Sequence, residues 1–202
     1  MYLSKVIVSW QNARNPYDIH RVLWKMFPGR PNDSRDFLFR IERQRKELGT
    51  DILMQSAQTP NQGSRTSLIT AVREYQLSIK KGYRLRFRLR GNPTKKINDE
   101  KGRLDPKGQI KKCRVPLIRE EDQQAWLERK LAPVCSIETL NVQMEAPLHF
   151  RKKKDQRAGK IQPVLFDGIL GVNDPDSLID KITKGIGPAK AFGCGMLSIA
   201  PA

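Results

Sequence analysis

The stretch YRLRFRLR, residues 83–90, decides the fold of this chain of 202 residues. Its apolar positions are Leu85, Phe87 and Leu89, and its basic positions are Arg84, Arg86, Arg88 and Arg90. Because successive side chains of a β-strand point to opposite faces, this alternation predicts a strand with one buried apolar face and one exposed basic face. Gly82 precedes the stretch and marks a boundary, so we expect a new domain to begin here.

The sequence after this strand predicts the rest of a second domain. A long basic loop is expected up to residue 116, and a helix over 120–131 follows, with acids in its first turn and bases in its last. The next elements are strands over 137–144 and 162–172, a helix over 174–184 with a proline at its first position, and a strand over 196–199. This βαββαβ order is that of a ferredoxin-like domain.

The first half of the chain predicts the same order of elements. Residues 2–10 form a strand with β-branched bulk, and Asn15-Pro16 begins a helix that ends at Pro28-Gly29. Strands over 36–43 and 51–58, a short helix over 65–72 and a strand over 74–79 complete the unit. We therefore expect an α+β protein with two tandem ferredoxin-like domains, residues 1–80 and 83–202.

Nearly all of the net charge lies in two segments. Residues 80–114 carry 14 Lys and Arg against three acids, a net +11, and residues 151–160 carry six against one, a net +5. The whole chain has a net charge of +17. Concentrating like charges costs repulsion energy, so two basic patches on a nearly neutral body favour a polyanion as partner, nucleic acid first. A solvated surface or a disordered basic tail is the alternative interpretation.

Composition narrows the class of protein further. No run of 18 apolar residues is present, so no membrane span is expected, and the N-terminus lacks the apolar core of a signal peptide. The three cysteines are odd in number and far apart, which indicates a reducing cytoplasm rather than a disulfide framework. With two histidines, no Cys-x-x-Cys, no clustered carboxylates and no Walker motif, the sequence predicts no metal site and no cofactor.

The motif NPYDIHR, residues 15–21, supplies the candidate chemistry. Tyr17 precedes His20 by three residues, so both side chains share one face of the first helix, and Arg21 adjoins them. Histidine can give or take a proton near neutral pH, arginine can hold negative charge on a phosphate, and tyrosine can orient it. An ordinary surface or half-buried histidine fits the same spacing.

The tail GIGPAKAFGCGMLSIAP, residues 185–201, is glycine-rich. Glycines allow the backbone to approach a phosphate closely, and Lys190 adds a charge there. A helix C-cap followed by a tight turn into the last strand explains the same glycines.

Five segments together resemble the CasE family of CRISPR-associated endoribonucleases of the type I-E Cascade complex. They are MYLSKV, NPYDIHR, LRFRLRGNP, AWLERKL and the glycine-rich tail, and they span residues 1–201. The resemblance implies two ferredoxin-like domains and metal-independent cleavage of the repeat hairpin in precursor CRISPR RNA. It also implies that the cut RNA stays bound and that the other Cascade subunits are partners.

The resemblance assigns roles to particular residues. His20 falls on the catalytic histidine of the family, and Tyr17 falls on a tyrosine that accompanies it in some members. Arg21 follows the histidine, as it does in members that read NPYEMHR. Segment 151–160 falls on a hairpin that enters the RNA groove. The residues expected to bind RNA are Arg84, Arg86, Arg88, Arg90, Lys95, Lys96, Lys111, Lys112, Arg114, Arg151, Lys152, Lys153, Lys154, Arg157, Lys160 and Lys190.

The chemistry that follows needs no metal, because the 2′-hydroxyl of RNA is an internal nucleophile. His20 is then either the general base or the general acid. The rival hypothesis is a non-catalytic protein that binds structured RNA. Single-strand readers usually carry aromatic side chains on the exposed sheet face, whereas the strand 83–90 presents arginines there, which favours a duplex stem. No helix-turn-helix or zinc-finger pattern indicates a DNA-binding protein.

Overall fold

The computed structural model describes residues 1–29, 36–62, 64–151 and 158–202 of the chain. Its N-terminal elements are β1 Tyr2–Val8, α1 Trp10–Ala13, α2 Pro16–Trp24, β2 Phe37–Arg45, β3 Gly49–Ser56 and β4 Ser67–Glu74. The strands form one antiparallel sheet in the order β2-β3-β1-β4. The first strand in the chain is therefore central, which is the split βαβ arrangement of a ferredoxin-like domain.

Local chemistry fixes the start and the buried face of α2. The side chain of Asn15 accepts a hydrogen bond of 3.2 Å from the backbone N–H of Tyr17, and Pro16 occupies the first helical position. Both features are typical of a helix N-terminus, as the sequence predicts. The helix buries Ile19, Val22 and Leu23 in a core that includes aromatic side chains of β2.

The last two elements predicted for the N-terminal domain differ from the structure. The helix predicted over 65–72 is wrong, because these residues lie in β4, which pairs with β1 from Val8–Ser67 to Tyr2–Glu74. The strand predicted over 74–79 is also wrong, since residues 75–80 have no regular structure. The β-branched side chains of Ile69, Thr70 and Val72 favour a strand, and the free edge of β1 supplies its hydrogen-bond partners.

The C-terminal sheet repeats the arrangement with both of its helices. Its elements are β5 Arg84–Gly91, β6 Thr94–Asn98, β7 Lys112–Pro116, α3 Glu120–Leu131, β8 Cys135–Met144, β9 Leu148–Arg151, β10 Ala158–Ile161, β11 Val164–Val172, α4 Pro175–Lys184, a 3₁₀ turn Lys190–Phe192 and β12 Leu197–Pro201. The main sheet has the order β12-β5-β11-β8. Both helices pack on the face of β5 that carries Leu85, Phe87 and Leu89. The two tandem ferredoxin-like sheets confirm the predicted fold class.

Two predictions for the basic region need correction. The long loop expected up to residue 116 is an antiparallel hairpin, in which β6 pairs with β7 from Thr94–Pro116 to Asn98–Lys112. Arg90 does not belong to the exposed basic face, because it is buried, whereas Arg84, Arg86 and Arg88 are exposed. The 3₁₀ turn lies over Arg90 and accounts for the difference.

Polar side chains join the two sheets. Arg40 on β2 is buried, and its Nη1 donates hydrogen bonds to the backbone oxygen of Arg88 at 3.3 Å and to Ser198 Oγ at 2.9 Å. Burial lowers the pKa of Arg40, and Glu42, 2.7 Å from its Nε, opposes that shift. The division into residues 1–80 and 83–202 stays a prediction. No helix in the described ranges is long and apolar enough to cross a membrane.

Candidate catalytic helix and nucleic-acid interface

The helix α2 presents His20 and Tyr17 to different surroundings. The half-buried His20 ring stacks on Phe37 with ring centroids 5.4 Å apart, and the Trp24 ring lies 5.9 Å away. The Tyr17 ring instead lies 6.3 Å from Phe192, in the 3₁₀ turn of the C-terminal half. The imidazole is therefore held by aromatic packing, while the tyrosine faces the junction between the two halves.

Arg21, the third predicted catalytic residue, is exposed. Its Nη1 lies 3.4 Å from Asp18 Oδ1, one helical turn back. An exposed ion pair of this kind is weak, typically below about 1 kcal/mol. Arg21 is thus able to exchange Asp18 for another anion at little cost.

The glycine-rich segment, residues 185–195, places an aromatic side chain against α2. Gly185 ends α4 with φ 75° and its N–H donates to Lys181 O at 2.8 Å, as the C-cap interpretation predicts. The segment then turns through Gly187, at φ 77°, before it reaches the 3₁₀ turn. The turn ends at Phe192, whose ring lies 4.4 Å from that of Phe150 on β9. The segment therefore brings the hairpin β9–β10 next to the helix that carries His20.

The arginines of β5 are already paired within the protein. Arg84 lies 2.7 Å from Glu138, Arg88 2.6 Å from Asp167 and Arg90 2.6 Å from Glu145. Arg86 Nε donates to Pro201 O at 3.0 Å. Glu138 raises the pKa of Arg84, and Asp167 raises that of Arg88. A phosphate would have to compete with these carboxylates, and the RNA contacts of the four arginines stay a prediction.

A second group of basic residues surrounds an open cleft, here called the basic cleft. Lys96, Arg114, Lys130 and Lys190 line a cavity of about 690 Å³ whose walls also include Trp126 and Phe192. The cleft lies between the hairpin β6–β7, the end of α3 and the residues from Gly187 to Phe192. Lys190 Nζ donates to Lys184 O. Within the described ranges no carboxylate pairs with Lys96, Arg114 or Lys130.

The remaining predicted RNA ligands divide by location. Lys95, Lys111, Lys112 and Lys160 are exposed. Lys152, Lys153, Lys154 and Arg157 lie outside the described residues, and Arg151 is described only for its backbone, which pairs with Ala158. Sequence reasoning missed Lys130, because a lysine in the last turn of a helix is explained by the helix dipole alone. In the described part of the chain no three His, Cys, Asp or Glu side chains gather into a metal-binding group.

Fold and site together define a class: a tandem ferredoxin-like protein with a histidine-bearing helix and a basic surface suited to a polyanion. The family model described as "CRISPR associated protein" matches residues 1–201, and the chain belongs to this family. The family resemblance inferred from the sequence motifs is thereby confirmed.

Known proteins and structures resemble the chain over its whole length. "CRISPR system Cascade subunit CasE" of Escherichia coli (strain K12) is 48% identical over 202 residues, which is all of both chains. The crystal structure of the CRISPR-associated protein Cas6e from the same strain has a TM-score of 0.86 and 44% identity, with full coverage of both chains. A structure of the CRISPR endoribonuclease Cse3 bound to 19 nt RNA has a TM-score of 0.80 and 30% identity, again with full coverage of both.

Proposed function

We propose that this protein is an endoribonuclease that cuts precursor CRISPR RNA at the repeat hairpin, keeps the cut RNA bound and acts as a subunit of Cascade. The observation that carries the proposal is the position of His20. It lies on α2, and that helix contacts both the glycine-rich segment and β9. The helix that carries this proton-transfer candidate thus contacts the segment whose glycines allow close approach of a phosphate.

The names of the relatives support the proposal. The relative from Escherichia coli is a Cascade subunit, and the endoribonuclease Cse3 has been solved with RNA. Both match the chain from end to end. Because its RNA partner would be cytoplasmic and Cys113, Cys135 and Cys194 are free thiols, we infer a cytoplasmic location.

The chemistry uses the RNA as its own nucleophile. The 2′-oxygen attacks the neighbouring phosphorus and the bond from phosphorus to the 5′-oxygen breaks, which leaves a 2′,3′-cyclic phosphate and a 5′-hydroxyl. One group takes the proton of the 2′-hydroxyl and another gives a proton to the leaving oxygen; His20 performs one of these transfers. Arg21 would exchange Asp18 for the phosphate and hold the charge that develops on it. No step needs a metal ion.

The test is cleavage of a repeat hairpin in excess EDTA, with His20→Ala as the variant. Removing one acid or base should slow cleavage by roughly 10²–10⁴-fold. Hairpin affinity should change by no more than a few fold. His149→Ala is the matched control, because His149 is exposed on β9 and should cut at the rate of the unmodified protein. A His20→Ala protein that cuts normally would remove His20 from the mechanism.

A modified substrate tests the nucleophile separately. RNA with a 2′-deoxy sugar before the scissile phosphate should bind with normal affinity and stay intact. Cleavage of that substrate would exclude attack by the 2′-hydroxyl. If the ordinary hairpin is bound but never cut, the chain is the non-catalytic RNA-binding protein that is its main rival interpretation.

A further inference from the structure

We propose that the basic cleft is a binding site for single-stranded RNA, separate from the surface that meets the hairpin stem. The inference rests on the proposed function, and it identifies where the unpaired strand next to the stem would lie. Lys96, Arg114 and Lys130 would meet its phosphates. Phe192 also lines the cleft, where a base would pack against it.

The charges of the cleft are arranged in a way that costs stability. Lys96 and Arg114 are direct partners across the strand pair β6–β7, and like charges in that position repel each other. Lys130 at the end of α3 brings a third positive charge to the same cavity. None of the described residues that line the cavity is acidic. The contrast with β5, where three arginines have carboxylate partners, indicates that the cleft receives its negative charge from a ligand.

The shape of the cleft favours an unpaired strand over a duplex. Three elements line this open, concave cleft, whose volume of about 690 Å³ lies within the roughly 300–1,000 Å³ of sites that bury small ligands. A few unstacked nucleotides fit into such a concave space. A duplex stem is a thick, stiff rod, and it is recognised by shape across open surfaces.

The cleft is also joined to the proposed catalytic helix. Phe192 lines the cleft, and its ring lies 6.3 Å from that of Tyr17. Tyr17 and His20 lie one turn apart on α2. An RNA strand cut beside α2 can therefore continue past Phe192 into the cleft, and the cleft would help to hold the cut RNA.

The test compares three RNAs that cannot be cut, because each has a 2′-deoxy sugar before the scissile phosphate. One is the hairpin alone, and the other two carry a short unpaired extension, one on the 5′ side and one on the 3′ side. With one extension, we expect affinity at low salt to rise by about tenfold. For the double variant Lys96→Gln/Lys130→Gln, that gain should largely disappear. The salt slope of the extended RNA should become shallower by about 0.7 for each lost contact.

The control is the double variant Lys46→Gln/Lys81→Gln, which removes the same charge from exposed positions outside the cleft and should keep the gain. In the absence of RNA, Lys96→Gln should raise the melting temperature, because it relieves the repulsion from Arg114. If the cleft variant weakens the bare and the extended hairpin by the same factor, the cleft holds the stem and the proposal is wrong. If extensions add no affinity to the unmodified protein, it is also wrong. Neither result depends on cleavage, so a failure of the proposed function would be seen separately, as an ordinary hairpin left uncut.

Discussion

Arg90 gives a test of which arginines hold the fold together and which are available to a ligand. Its side chain is 6% exposed, with Nε 2.8 Å and Nη2 2.6 Å from Glu145 Oε2. Its Nη1 donates to the backbone oxygen of Phe192 at 3.2 Å. Its own carbonyl accepts a 2.7 Å hydrogen bond from Gly195. The side chain and the backbone of Arg90 together hold the glycine-rich segment against β5.

The variant Arg90→Met keeps the apolar stem and removes all of the donors. Breaking a fully buried ion pair costs about 3–5 kcal/mol, because the remaining charge stays unpaired. The Glu145 side chain is 28% exposed, so water recovers part of that loss. We therefore expect the free energy of unfolding to fall by about 2–3 kcal/mol. Cleavage at a temperature where the variant is folded should fall by up to about 10²-fold, because Phe192 would no longer be held against Tyr17.

Urea denaturation and hairpin cleavage measure the two effects. Arg88→Met is the control, since Arg88 is 49% exposed and its pair with Asp167 should contribute only about 0–1 kcal/mol. Adding Glu145→Met to Arg90→Met should restore part of the stability, because no unpaired carboxylate remains. If Arg90→Met unfolds at the normal urea concentration but loses affinity for RNA, Arg90 is an RNA ligand and the structural reasoning fails.

Two further predictions concern packing. Gly168→Ala should destabilise the protein by at least about 1–3 kcal/mol, because the added methyl would overlap the Thr139 carbonyl oxygen on the neighbouring strand. In Gly171→Ala the added methyl would meet a side chain instead, so the free energy of unfolding should fall by less in the same urea titration. Burial raises the pKa of the Cys135 thiol to about 11 and that of Cys194 to about 12. A thiol reagent should therefore modify neither cysteine at pH 8 until urea unfolds the chain, and rapid labelling of Cys194 in the native protein would contradict its buried position.

Elements whose side chains alternate between core and solvent were predictable from the sequence. The period of two in residues 83–90 reappears as β5, displaced by one residue, and the helix Glu120–Leu131 has the bounds that its charges and apolar positions predict. The strand β4 was not predicted, because its side chains do not alternate between core and solvent. It is an edge strand of its sheet and most of its side chains are exposed, so its sequence shows no period of two. Its β-branched side chains and its pairing with β1 together make it a strand.

The candidate site was predictable only in part. A histidine in a recognised motif can be found from the sequence, but its stacking on Phe37 depends on the return of β2 beside α2. The cleft depends on the return of the 3₁₀ turn beside the hairpin β6–β7 and the helix α3, about 60 residues or more earlier in the chain. Lys130 approaches Lys96 and Phe192 only after the C-terminal half has folded. No spacing rule connects such residues, because their proximity is a property of the packed sheet and helices.

Charge alone does not separate the basic residues that are paired within the protein from those that are available to a ligand. The basic residues from 80 to 114 look equivalent in the sequence, yet the structure separates them by their partners. Arg84, Arg88 and Arg90 have carboxylates at 2.6–2.7 Å, so a phosphate gains little by displacing them. Lys96 and Arg114 repel each other until an anion arrives, so the free energy of binding there includes the relief of that repulsion. Lys96, Arg114 and Lys130, which have no carboxylate partner among the described residues, are the positions where we expect substitution to change RNA affinity most.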